Sequence, residues 1–322
     1  MSGRDLLIGL DAGTSVIKAV AFDRDGRQVG SAGTRNTYTR GADGLSVEQD
    51  LTRTWADAAT VLRRLAETVP DLPSRAAVLA VTGQGDGTCL IGKDGEPVAP
   101  AWLWLDSRSA PIVEELDRSG VRDAVFRTTG CGLNGSNQSG HLLWLDRRRP
   151  DLLDRAEYAC HLKDWLYLKL TGERCTDVSE AVFTFGDFRR RAYDDGVIEA
   201  FGLHHRRGLL PPIVDALRGE HHPLAAEAAA ATGLSAGLPV ALAYVDVLCS
   251  ALAAGLHDAE ARAGVSIVGS TGMHMRFHPD AAAIELGREA SGYVMVLAPG
   301  TARWTSWKEP SPAPADRSQV VR

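Results

Sequence analysis

The chain opens on two apolar runs separated by a short polar turn. Leu6-Leu-Ile-Gly-Leu ends at Asp11, and the small turn Ala-Gly13-Thr14-Ser15 follows at once. A second run, Val16 to Phe22, leads to another turn at Arg24-Asp25-Gly26. This pattern predicts strand, tight turn, strand, turn, strand over residues 5 to 32. Leu51, Trp55, Ala58, Leu62 and Leu65 then recur at helical spacing, which predicts an amphipathic helix over 50 to 68, closed by Pro70 and Pro73. Ala77 to Thr82 is a short β-rich run, followed by the polar Gly83-Gln84-Gly85-Asp86-Gly87. Thr88 to Ile91 and Pro97 to Val98 flank Lys93-Asp94-Gly95, a hairpin signal. Ala101 to Leu105 is a further apolar run ending at Asp106-Ser107-Arg108. Helices are predicted over 110 to 118, 139 to 148, 159 to 170 (stopping at Thr171-Gly172) and the alanine-rich 223 to 231.

A new apolar block follows. Leu238 to Val245 predicts a strand ending at Asp246, and Val247 to Leu256 a helix of small residues. Gly264 to Val268 predicts a strand before Gly269-Ser270-Thr271-Gly272. A strand that ends in a carboxylate or hydroxyl cluster thus recurs near residues 11, 86, 246 and 270. Strands alternating with helices indicate an α/β architecture. From Arg303 the chain is polar, aperiodic and rich in proline (Pro310, Pro312, Pro314), which predicts a disordered tail over 303 to 322. Trp304 and Trp307 have no evident use in such a tail.

Composition narrows the function classes. A length of 322 residues allows two domains. The net charge of -6 provides no broad attraction to nucleic acid or anionic membrane. No apolar run reaches membrane-spanning length, and the N-terminus lacks a signal-peptide pattern. The five cysteines are scattered, odd in number and without a Cys-x-x-Cys pair. That argues against a disulfide framework or a zinc site and fits a reducing cytoplasm.

Four places carry candidate chemistry. Asp11 with Gly13, Thr14 and Ser15 offers a carboxylate for hydrated Mg²⁺ and N–H and hydroxyl groups for phosphate oxygens; the plain alternative is an ordinary hairpin turn. Gln84 and Asp86 can accept from and donate to sugar or polyol hydroxyls, or Asp86 can simply bond turn N–H groups. Trp104 can present its face to the C–H side of a sugar, or pack in the core. Arg108 can clamp a substrate or pair with Asp106. Asp246, at a strand-to-helix junction, can cap the helix or take a proton from a substrate hydroxyl during phosphoryl transfer. His141, His161, His204-His205 and His221-His222 have no ligand spacing with a carboxylate and are expected on the surface or in loops.

Together these segments resemble the FGGY family of carbohydrate kinases. The resemblance runs from about residue 5 to about residue 300. It rests on Leu7-Ile-Gly-Leu-Asp11-Ala-Gly-Thr14-Ser15; on Thr82-Gly-Gln84-Gly-Asp86-Gly with Trp104-Leu-Asp106-Ser-Arg108; on Trp165 with Leu170-Thr-Gly-Glu173 and Thr176-Asp-Val-Ser179; and on Gly237-Leu-Pro-Val240 with Tyr244-Val-Asp246 and Gly269-Ser-Thr-Gly272. It implies an actin-like, ribonuclease H-like pair of duplicated α/β domains and ATP-dependent phosphorylation of a small sugar or polyol. It further implies that Asp246 is the general base, that Asp11 holds Mg²⁺ beside the ATP phosphates, and that Gly269, Ser270 and Thr271 approach those phosphates. Gln84, Asp86, Trp104 and Asp246 fall at substrate-contacting positions. The Gln-Gly-Asp-Gly version departs from the xylulose and glycerol kinase patterns and looks more like the erythritol kinase and short-polyol or ketose branch. A homodimer is compatible with the resemblance.

The expected division is a first domain over 1–237, the start of a second over 238–302, and the tail. Members of the family are markedly longer, so the second domain is expected to be incomplete, with activity lost if the chain is truncated. Two other readings stay open: a non-catalytic sugar-binding fragment or pseudogene product, and an actin-like ATPase acting with protein partners.

Overall fold

The structure, a computed structural model, describes residues 3–257, 264–268 and 272–297, and the backbone of 301–305. The opening pattern folds as the apolar runs dictate. β1 (Leu6–Ala12) and β2 (Val16–Phe22) form a hairpin, and β3 (Gln28–Arg35) adds antiparallel to β2. Side chains alternate along a strand. On β1, Leu6, Ile8, Leu10 and Ala12 are therefore buried, while Leu7 and Asp11 face the other way. α1 (Leu51–Thr68) covers the buried face with Leu51, Ala58, Leu62 and Leu65. Asp50 starts this helix by accepting the Arg53 N–H at 3.1 Å. Each fully buried leucine of α1 contributes about 1.5–3 kcal/mol relative to exposure.

β4 (Ala76–Gly83) returns parallel to β1. The chain then leaves the sheet through β5 (Cys89–Ile91), which pairs with β6 (Tyr158–Cys160). The Lys93-Asp94-Gly95 turn closes as expected, with the Gly92 N–H bonded to the Glu96 carbonyl at 2.8 Å. Between these strands lies a helical lobe that includes α2 (Gln138–Arg148). After β6 come α3 (Leu162–Thr171) and α4 (Val178–Phe185). β7 (Pro239–Leu242) re-enters the first sheet parallel to β4, and α5 (Asp246–Ala253) follows. The order across this sheet is His222–Pro223, β7, β4, β1, β2, β3. Because β7, β4 and β1 are parallel, their C-terminal ends open on one edge, the place where open α/β sheets gather ligands.

A second sheet begins with β8 (Gly264–Val268) and β9 (Gly272–His278), joined by β10 (Tyr293–Val296) and β11 (Thr301–Thr305) in the order β8-β9-β11-β10. Its Met275, Tyr293, Val294 and Val296 share a core with Val178, Val182 and Phe183 of α4 and with Val245 and Leu248.

Three expectations change. Residues 239–242, expected to open the second domain, pair in the first sheet beside β4. Residues 159–160, expected to begin a helix, lie in β6. The backbone of 303–305, expected in a disordered tail, pairs within β11 against β9 and β10. Among the described residues, no helix is long and apolar enough to cross a membrane.

Candidate active site

The three parallel strand ends carry the candidate residues. Asp11 pairs in register with Thr82 across β1 and β4. The Thr82 hydroxyl donates to the Tyr244 carbonyl at 2.6 Å, which ties the end of β4 to the segment leading into Asp246. Asp246 is the first residue of α5 and is half-buried. Its Oδ1 accepts the N–H of its own neighbour Val247 at 2.7 Å. A capping aspartate instead reaches two or three residues ahead, so capping does not account for this side chain. Burial pushes the Asp246 carboxyl up to about 7, and the negative charge of Asp11 adds to that, against the Val247 N–H and Lys163. A carboxylate tuned near neutrality suits proton abstraction.

Asp11 is also raised, by desolvation, with Lys18 directly opposite on β2 working against it. A carboxylate raised by the charge of a second one marks a place where a cation is favoured. Mg²⁺ in phosphate-transfer sites is held by one or two carboxylates plus phosphates and water. The donor set therefore fits such an ion, although no cluster of three or more metal-ligating side chains occurs among the described residues. In the β1–β2 turn, the Gly13 N–H is already bonded to the Val16 carbonyl at 3.1 Å. The N–H groups of Thr14 and Ser15 have no protein partner among the described residues.

Gln84, Asp86 and Trp104 line one crevice, with Leu162 and Trp102 among its other walls. Asp246 is not one of the walls of this crevice; its chain neighbour Val245 is what meets it. Val245 packs on Gly85, where an added Cβ would lie 2.4 Å from Val245 Cγ2. A polar chain that the sequence does not reveal joins the crevice to the turn. The Trp104 indole N–H donates to the Thr14 hydroxyl at 2.8 Å, and that hydroxyl donates to Gln84 Oε1 at 2.9 Å. Gln84 Nε2 continues to Gln49 Oε1 at 2.9 Å, Gln49 Nε2 to Asn36 Oδ1 at 3.1 Å, and Asn36 Nδ2 to the Gly13 carbonyl at 2.8 Å. Thr14 thus serves mainly as a bridge between the two halves of the site. Replacing Thr14 by valine keeps its shape but strands the Gln84 and Trp104 groups. The expected loss is about 1–3 kcal/mol of stability in urea unfolding; an unchanged midpoint and slope would show that water satisfies both.

Asp86 sits in the left-handed region at φ +54°, followed by Gly87 at +71°. A Cβ on Gly87 would meet the Trp102 carbonyl oxygen at 2.4 Å, so glycine is required there. Asn137 donates to Asp86 Oδ1 at 3.0 Å. Burial raises the Asp86 carboxyl, opposed by that bond and by His161. Asn137 went unnoticed in the sequence; an Asn just before a predicted helix is its only signal. Arg108 chelates Asp106, with Nη2 to Oδ2 at 2.7 Å, pairs with Glu48 at 2.8 Å and stacks 3.5 Å over Trp102, so it is a structural clamp.

His141 and His161, expected on the surface or in loops, are both buried. His141 bridges the Thr88 hydroxyl and the Gly135 carbonyl at 3.1 Å each, and burial pulls its pKa down to about 4. Gly269, Ser270, Thr271 and Trp307 lie outside the described residues.

The sequence profile of the FGGY family of carbohydrate kinases, N-terminal domain, matches residues 6–253. Erythritol kinase of Brucella abortus (strain 2308) is 56% identical over 293 residues, covering 91% of this chain and 56% of that protein. Autoinducer-2 kinase of Escherichia coli (strain K12) is 32% identical over 260 residues, covering 78% of this chain and 47% of that protein. The chain spans about half the length of the curated relatives it matches. Among solved structures, xylulose kinase from Rhodospirillum rubrum superposes with a TM-score of 0.83 at 26% identity, over 94% of this chain and 61% of that one. Plasmodium falciparum glycerol kinase with ADP gives 0.81 at 16% identity, over 95% and 62%, which shows the fold alone. The chain belongs to the FGGY family of carbohydrate kinases.

Proposed function

We propose that this chain carries the acceptor-binding and proton-accepting side of an ATP-dependent kinase that acts on a short polyol or ketose, erythritol-like or pentulose-like. The observation that carries the reading is Asp246. It is a half-buried carboxylate pushed up to about 7, at a parallel-strand end, raised by the charge of Asp11 and one residue after Val245, which packs on Gly85 of the crevice. In this reading Gln84 and Asp86 orient hydroxyls, and Trp104 offers an apolar face to the C–H side of the acceptor. Asp246 takes the proton of the attacking hydroxyl. Mg-ATP, when bound, supplies the phosphoryl group and the neutralising cation. Asp11 would hold that cation, and the Thr14 and Ser15 N–H groups would face the phosphates. The 56% identical erythritol kinase supports a four-carbon acceptor.

Measuring ADP formation with and without a panel of three- to five-carbon polyols and ketoses tests this. The proposal expects ADP release that depends on a short acceptor. Acceptor-independent release favours an actin-like ATPase, and acceptor binding with no release favours a sugar-binding protein without turnover.

A further inference from the structure

Asp86 reaches the crevice from a backbone conformation that side chains other than glycine rarely adopt. What holds it there lies behind it. Glu180, on α4 and 3% exposed, accepts the Asp86 N–H through Oε2 at 3.3 Å. The same oxygen is 3.1 Å from His161 Nδ1, and Nδ1 is also 3.1 Å from the Asp86 carbonyl oxygen. Both polar groups of the Asp86 backbone are therefore engaged by one buried pair. Gly85 makes the approach possible, since a Cβ there would lie 2.5 Å from Glu180 Oε1.

The surroundings favour a neutral pair. Lys163, itself fully buried, faces Asp164 at 2.8 Å and Asp177, so its charge is already matched. Burial pushes the Glu180 carboxyl well up and the His161 imidazole down. A neutral acid and imidazole need no counter-ion and keep their hydrogen bonds.

We propose that Glu180 and His161 are positioning residues for acceptor binding, acting through Asp86 by fixing its backbone without touching the polyol. The inference rests on the polyol-kinase reading and adds to it a part of the site that recognises nothing directly.

An NMR titration of the full chain with erythritol, which reads millimolar affinities, tests it as a double-mutant cycle. Glu180→Gln keeps the acceptor oxygen and should bind within about threefold of wild type. Glu180→Asp withdraws the carboxyl and should weaken binding about tenfold. In an Asp86→Ala background the same Glu180→Asp change should alter affinity less than about twofold, because the residue through which it acts is gone. His161→Leu, which removes the ring nitrogen 3.1 Å from the Asp86 carbonyl oxygen, should match Glu180→Asp and replaces it if that variant does not fold. Unchanged binding in Glu180→Asp, or an equal loss with and without the Asp86 side chain, overturns the inference while leaving the kinase reading intact. A folded wild-type chain that binds no short polyol overturns both.

Discussion

Replacing Asp246 by asparagine should lower acceptor-dependent phosphoryl transfer by about 10²–10⁴-fold, the range a positioned general base contributes. Polyol affinity should change far less, because the amide keeps the shape and loses only the ability to accept a proton. The wild-type rate should rise with pH through about 7 and then level off, since Asp246 works in its ionised form. The stability effect has the opposite sense. A carboxyl whose pKa rises on folding from 3.8 to about 7 disfavours the folded state once ionised, so its contribution falls as pH rises through that window. The asparagine variant should therefore melt above wild type at pH 8, with the gain shrinking toward pH 5. Near-full turnover in this variant would remove Asp246 from the base role. A melting difference that grows toward acid would contradict the pKa shift.

Replacing Lys163 by methionine should destabilise the fold by about 3–5 kcal/mol. Lys163, Asp164 and Asp177 are all buried, and the lysine is the only cation bonded to the two carboxylates among the described residues. Burial alone pulls the lysine pKa down, but Asp164 and Asp177 outweigh it and keep the ammonium charged. Methionine fills the space and leaves two buried negative charges unmatched. Adding Asp164→Asn and Asp177→Asn should recover part of the loss, because a neutral cluster no longer needs the cation. Urea unfolding of the single and triple variants reads both. A single-variant loss below about 1 kcal/mol would show that the carboxylates shed their charge at little cost.

The elements with strong periodicity were legible from sequence. The β1–β2–β3 start, α1, and β4 running into Gln84 and Asp86 all follow from apolar runs bounded by polar turns. α4 was not legible, because Val178–Phe185 is buried on every side and so shows no amphipathic stripe. The edge of the first sheet was misplaced for a related reason. Pro239–Leu242 reads the same whether it ends one sheet or begins another, and only its pairing with β4 decides. Asp11, Gln84, Asp86, Trp104 and Asp246 stood out because each interrupts or follows an apolar run. The groups that link them did not. Asn137, His161 and Glu180 meet Asp86 from positions 51, 75 and 94 residues away along the chain. No local pattern signals a contact made by tertiary folding, and a buried histidine looks the same in sequence as an exposed one.

The most direct measurement is a map of amide and indole ¹⁵N–¹H shifts of the wild-type chain titrated with erythritol. Saturable shifts are expected at the Trp104 indole N–H and at the amides of residues 84–87 and 246–247, with β8 unmoved. Shifts centred on the second sheet, or none in a folded chain, would contradict it.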